Sequence, residues 1–450
     1  MFKTPPVQNR FHAVGPAGKN VSFGIFAIAV SLAFVSSHSA SAQMVDMAGV
    51  HSSARTAGFP QGGQMGGKNA VSPQPNQTYT WDEESTVPGS LQEALPRRWV
   101  FNASVSAGFQ YDDNLTLQES GNLGSGYFVV APTVGVKYGP MSSGLSFSLQ
   151  YTPSFEWYLE DDVGNAVNHN VGATFNWEHG PLRLFGGVTF TSAEGADVDA
   201  GERIARDAAA GSLGLSYDYS DKTTFGLTYG TTLFNPEEDK YVGSNRQIAG
   251  AFVDYDVTGK TTLGLGGEYE FQEVEKGSDS NAYRFLLRLK WAATSKLTVN
   301  AVAGPEIREY TEGDSGLEAY WRLGIDYNFI DTGKTKLSFD VYRNQESSVA
   351  LVGQAYTATG VVGTFTYNPS SRLQLSAAAG YEFADYTGTS SSIIADRQDH
   401  LYFIRPAIAW SFSSRTSLSV FYQFTQNSSS GVGEASFERN SYGVMMNVAY

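Results

Sequence analysis

The chain has 450 residues, no cysteine and a formal net charge of −15, with 30 Lys and Arg against 45 Asp and Glu. This excludes disulfides, Cys-held metals and lipoprotein anchoring, and speaks against nucleic acid as a partner, because phosphate binding needs a basic surface. Mean hydropathy is only −0.24, but a wall that alternates lipid-facing with water-facing residues hides its membrane face from such an average.

Residues 1–42 carry Lys3, Arg10 and Lys19 and no acid, then an apolar run from Val21 to Val35, then Ala40-Ser41-Ala42 before Gln43. That is the order of a cleavable secretory signal peptide, with an apolar run short of the roughly 20 residues of a spanning helix. Losing its three cations would take the charge from −15 to −18. Residues 43–98 are rich in Gly, Ser, Gln, Pro and Met and show little periodicity. A flexible periplasmic tail is expected there, with Tyr79–Trp99 as its one stretch suited to docking a partner.

From Trp99 to Tyr450 the pattern changes to stretches of alternating apolar and polar residues separated by breaks. Leu145, Phe147, Leu149 and Tyr151 interleave with Ser146, Ser148 and Gln150, and Phe225, Leu227 and Tyr229 interleave with Gly226 and Thr228. A helix would scatter these residues around its circumference; a period of two places them on one face of a strand. The same reading predicts strands over 99–112, 127–138, 144–158, 168–178, 182–191, 208–219, 223–233, 245–256 and 261–273. It continues with 281–292, 297–310, 316–329, 335–345, 354–367, 372–386, 399–412, 417–426 and 437–450. The breaks alternate between short turns, such as His179-Gly180-Pro181 and Asn368-Pro369-Ser370-Ser371, and longer acidic loops, such as Glu160–Val167, Ser192–Arg206 and Thr387–Gln398.

The expected fold is therefore all-β: a transmembrane antiparallel up-and-down β-barrel of about 18 strands over 99–450, closed because lipid offers an open sheet edge no hydrogen bonds. Short turns would face the periplasm and long loops the outside. Val444 to Tyr450, alternating and aromatic-ended, resembles the C-terminal signal read by the barrel assembly machinery. Outer-membrane lipid is the implied solvent.

If Leu145 and Phe225 face outward, the opposite parity faces the lumen. It collects the bases Arg183, Arg246, Arg284, Arg288, Lys290, Arg308, Arg322 and Arg405, and the acids Glu268, Glu270, Asp326, Asp340 and Glu382. Charges of both signs suit a wet channel and would be costly against lipid. Arg284, Arg288 and Lys290 form the densest basic stripe; such neighbours either meet a ligand or pair across strands to hold the wall. Inward aromatics, with Tyr158, Tyr310 and Tyr342 the tyrosines among them, offer faces for sugar rings or packing for a constriction.

No catalytic, metal or cofactor site is expected, and the chain reads as a non-enzyme. His169 and His400 lack metal-ligand spacing. Asp385, Asp396, Asp399 and His400 fit a solvated acidic loop better than a catalytic set. Tyr111-Asp112-Asp113-Asn114 offers oxygens to a hard cation, but three ligands at one strand end are a weak signal.

The first strand's end at Tyr111-Asp112-Asp113-Asn114 and the Phe437-Glu438-Arg439-Asn440 segment opening the last strand resemble the β-barrel porin 2 family across roughly Trp99 to Tyr450. That resemblance implies an outer-membrane channel exporting a hydrophilic polymer, an exopolysaccharide, with a periplasmic polysaccharide-export protein as partner. A passive or solute-selective porin and a structural or adhesive barrel are the alternatives.

Overall fold

The computed structural model describes residues 99–139, 144–313, 315–329, 334–390, 393 and 395–450. The expected signal peptide (1–42) and tail (43–98) lie outside the described residues. Eighteen strands follow in order: β1 (Trp99–Asp112), β2 (Ser125–Tyr138), β3 (Gly144–Tyr158), β4 (Ala166–His179), β5 (Leu182–Asp197) and β6 (Glu202–Asp218). Next come β7 (Thr223–Pro236), β8 (Ser244–Thr258), β9 (Thr261–Val274), β10 (Ser280–Ala292), β11 (Leu297–Tyr310) and β12 (Gly316–Asn328). The last are β13 (Thr335–Ser347), β14 (Gln354–Ser370), β15 (Leu373–Gly388), β16 (Gln398–Ser411), β17 (Thr416–Ser430) and β18 (Phe437–Ala449).

Each strand pairs antiparallel with its sequence neighbours, and β1 pairs with β18 from Ser104↔Ala449 to Asp112↔Ser441. The sheet therefore has no free edge, and Tyr450 N donates to Ala103 O at 2.8 Å to finish the seam. Short turns gather at one end and longer connections at the other, as the alternation of breaks predicts. One expectation is corrected. Ser192–Arg206 is not a long loop: β5 and β6 run on to Asp197 and Glu202, and only Val198–Gly201 connects them. The polar residues there read as loop because both faces of a strand lying beyond the bilayer can be polar.

β10 shows why these residues make a membrane wall. Tyr283, Phe285, Leu287 and Trp291 point out and are exposed, while Ser280, Ala282, Arg284, Leu286 and Arg288 on the opposite parity are buried. From Tyr283 to Trp291 the strand runs roughly 26 Å at 3.3 Å per residue, which at a tilt of about 40° crosses roughly 20 Å of an apolar band about 25 Å tall. Aromatic residues border that band at both ends. Trp99, Tyr138 and Phe147 cluster at the turn end, with ring centroids 5.0–5.1 Å apart, and Tyr269–Tyr283 and Tyr381–Tyr402 pair at the loop end. Amphipathic rings prefer these interfacial depths. This is a transmembrane barrel of outer-membrane, porin-like architecture.

Large inward side chains need room, and glycines beside them supply it. A Cβ on Gly443 would sit 2.7 Å from Phe421 Cε1 and 2.8 Å from Gln110 Cγ. Here the missing side chain, not backbone freedom, is what the fold uses.

Candidate functional site in the barrel interior

The predicted basic stripe becomes a saturated ion network over β8–β13. Arg284 donates to Glu306 Oε2 at 2.6 Å, Glu270 Oε2 at 2.7 Å and Glu268 Oε2 at 3.4 Å. Arg308 donates to Glu270 Oε1 at 2.8 Å and Glu306 Oε1 at 2.9 Å. Arg288 pairs with Asp254 at 3.0 Å and stacks over Phe252. These groups are nearly dry, with Glu270 at 1% and Arg284 at 3% exposure. Removing one member of such a set would leave a buried charge uncompensated, so the network holds the wall rigid rather than offering free guanidinium groups.

Arg246, on β8, lies 3.8 Å from Glu270 on the neighbouring β9 and also reaches across the barrel. Its Nη2 donates to Glu346 Oε2 on β13 at 2.5 Å and to Gln345 O at 3.3 Å. The β12–β13 ladder ends at Trp321↔Arg343, whereas β13–β14 pairing continues to Ser347↔Ala355. Beyond that point alternation disappears: Asn344, Gln345 and Glu346 are buried in succession, as are Ala355, Tyr356 and Thr357. A strand covered on both faces is no longer part of a two-sided wall, so the tip of the β13–β14 hairpin folds inward over the mouth.

Asp199, in the β5–β6 connection, clasps that tip. Its carboxylate accepts from Val349 N at 2.5 Å, Ser348 Oγ at 2.9 Å, Ala350 N at 3.3 Å and Tyr386 OH at 2.5 Å. Arg397, beside β16, donates to Asp199 O at 2.9 Å and to both Asp399 carboxylate oxygens at 2.8–2.9 Å. Burial opposes the charge on Arg397, but Tyr386 and the two aspartates outweigh it and hold the guanidinium above the ordinary arginine range. Val242 N donates to Val349 O at 2.8 Å, and Ile204, Tyr241 and Val349 form a small apolar core beneath. Leu117, Ala196, Val198, Leu401 and Phe437 form another. Connections from distant strands thus meet over the loop end.

The remaining predicted residues are spread more widely. Arg322–Asp340 (3.3 Å) and Lys336–Asp326 (3.0 Å) are partly exposed pairs, and Arg183 pairs with Glu178 at 2.8 Å near the turn end. Lys290 shares the β10 inward face and is half-buried. Tyr342 donates to Glu382 at 2.6 Å, Tyr310 accepts from Gln345 at 2.6 Å, and Tyr158 donates to Glu156 at 2.7 Å beneath Arg203. Arg405 differs from all of these. It is 5% exposed, lies over the Phe421 ring at 4.7 Å, and neither Nη1 nor Nη2 has a hydrogen-bond partner among the described residues.

Sequence reasoning missed Asp199, Glu346 and Arg397. Periodicity reports which face a residue takes, not which residue meets it across a barrel. The two short motifs at the strand ends turn out to meet each other. Asp112 accepts from Arg439 Nε at 2.7 Å, Asp113 accepts from Asn440 N and Nδ2 at 2.6 and 2.8 Å, and Asn114 Nδ2 donates to Glu438 O at 2.8 Å. Their carboxylates staple the seam, which leaves little for the hard-cation role. His400 Nδ1 meets Tyr381 OH at 2.9 Å, while Asp399 is engaged by Arg397.

The family model described as "Putative MetA-pathway of phenol degradation" matches residues 99–250, less than half of the chain. No curated protein matches the chain. Among solved structures it is similar to OccAB3 of Acinetobacter baumannii (9% identity, 78% of this chain and 99% of that one, TM-score 0.42) and OpdQ of Pseudomonas aeruginosa (10%, 78% and 97%, 0.41). It is also similar to a bacterial polysaccharide outer membrane secretin (9%, 77% and 98%, 0.33).

Proposed function

We propose that this barrel works in the outer membrane as a gated, solute-selective channel, with the β13–β14 tip as the gate. The observation that carries this reading is the inward fold of that tip, pinned by Arg246–Glu346 on one side and Asp199 on the other. Buried pairs of this kind contribute little net stability but impose a specific arrangement, as a two-state element requires. Under this reading residues 1–42 direct export and residues 43–98 lie in the periplasm.

Planar-bilayer recording tests it. The wild type should spend most of its time at low conductance, and Glu346→Gln should raise open probability severalfold. A large, steady conductance that Glu346→Gln leaves unchanged would overturn the gate and favour a passive porin.

A second reading, export of an exopolysaccharide driven by a periplasmic partner, is favoured by inward aromatics set among charges. Tyr310 and Tyr342, both only partly buried, lie on separate strands with their hydroxyls engaged by Gln345 and Glu382, and such faces allow a sugar chain to slide. It predicts trapped polymer in a deletion strain; normal surface polysaccharide would reject it.

A further inference from the structure

Six successive short turns, from β6–β7 to β16–β17, share one design. Each ends on a cation placed just before the next strand: Lys222, Lys260, Lys296, Lys334, Arg372 and Arg415. In five of them a Ser or Thr hydroxyl two residues earlier accepts from the cation's own N–H at 3.1–3.3 Å, a local bond that favours turns. In all six the cation's carbonyl accepts from an N–H of the following strand at 2.7–2.8 Å. The backbone therefore fixes where each charge leaves the sheet.

Register sets the direction of these charges. The residue after each cation sits on the outward face, as Thr261 does opposite Trp291 and Leu373 opposite Trp410, both tryptophans being exposed. Successive residues of a strand take opposite faces, so the cations belong to the lumen side of the rim. Lys222 stands opposite Asp256, but the other five stand opposite Ala292, Asn328, Asn368, Ser411 and Ala449, which carry no charge. Lys260, Lys334, Arg372 and Arg415 are exposed and Lys296 is half-buried. Glu178 and Asp326, acids of the same end, are engaged by Arg183 at 2.8 Å and Lys336 at 3.0 Å. The loop end is the reverse, with acidic runs such as Glu160-Asp161-Asp162 and Glu237-Glu238-Asp239.

We propose that the five cations from Lys260 to Arg415 form a collar at the turn-end mouth that captures a linear polyanion and gives its entry a side. Neighbouring cations lie two strands apart, about 10 Å across the ladder and about 12 Å along the rim of a tilted barrel. A small anion meets one exposed cation at a time, and such a contact is worth little. A chain of anions spans several, and each contact raises the effective concentration for the next. The acidic loop end repels the same cargo, so the field along the axis has a direction. As a statement about transport the collar rests on the channel reading, but its binding can be measured without any current.

The test is a fluorescence-anisotropy titration of the full chain, folded in non-ionic detergent, with labelled decagalacturonate, decameric polyphosphate and neutral maltodecaose as separate probes. Heat-modifiable gel migration verifies that each variant is folded. Saturable binding of a polyanion is expected, with maltodecaose not binding. It should weaken at least tenfold when NaCl rises from about 50 to about 300 mM, because exposed charges are screened. A fivefold variant, Lys260→Gln with Lys296→Gln, Lys334→Gln, Arg372→Gln and Arg415→Gln, should weaken it as much. Arg372→Gln alone should weaken it two- to threefold, while Lys240→Gln at the loop end should bind as the wild type does. The tighter of the two polyanions identifies carboxylate or phosphate as the charge the collar meets. The proposal is overturned if neither polyanion binds, if maltodecaose binds equally, or if Lys240→Gln weakens binding as much as Arg372→Gln. It is also overturned if the fivefold variant binds as tightly as the wild type or, should that variant not fold, if Arg372→Gln does. Bilayer currents separate the two claims. A barrel that binds through the collar but never conducts defeats the channel alone, and a conducting barrel whose variants bind alike defeats the collar alone.

Discussion

Two parts of the same inner wall treat buried arginine in opposite ways. Over β8–β13, Arg284 and Arg308 share Glu270 and Glu306 so completely that charge is balanced inside the protein. Over β15–β18, Arg405 is left with an aromatic face and small neighbours. The first arrangement suits a strut; the second leaves a buried charge with no counter-ion among the described residues. A lumen-facing position therefore says little about function until its partners are known.

Mutations sharpen that contrast. The largest effect is expected from Glu270→Gln, which strips a shared carboxylate from three guanidinium groups. It should cost about 3–5 kcal/mol of unfolding free energy in a detergent–urea titration, and wild-type stability would mean the network is ornamental. Next, Asp113→Ala should loosen the β1–β18 seam by about 1–3 kcal/mol, since it orphans the Asn440 donors. It should also lower the temperature at which the compact gel band is lost. Asp199→Asn removes one of the two carboxylates around Arg397 and weakens the acceptor that holds the tip amides, without touching the wall. It is expected to raise bilayer open probability with little change in unfolding midpoint, and a midpoint loss without a conductance change would make the clasp merely structural. The smallest effect, and the most telling, is Arg405→Met. Removing an uncompensated charge should leave stability unchanged or slightly raised, opposite in sign to Glu270→Gln. A loss like that of Glu270→Gln would place Arg405 among the struts.

The two motifs that suggested a family resemblance illustrate another gap. Asp112-Asp113-Asn114 and Glu438-Arg439-Asn440 lie over three hundred residues apart in sequence, yet bond directly because β1 and β18 are neighbours in the ring. Each motif alone reads as a polar strand end, and only closure gives the pair its purpose. The Ser192–Arg206 stretch fails in the other direction. Its polarity concealed strand continuing past the bilayer, where neither face needs to be apolar.

Strand number, order and facing were written in the chain, because a period of two and the ban on unpaired backbone in lipid are local rules that act on every segment alike. A mixed-charge inner face, from Arg183 to Arg405, is what the same parity leads one to expect. Which charges cancel, which tip bends into the mouth and which guanidinium is left over were decided by the tertiary structure alone. These are contacts across a ring, between residues such as Arg246 and Glu346, and no periodicity along one strand encodes the partner that curvature brings opposite it.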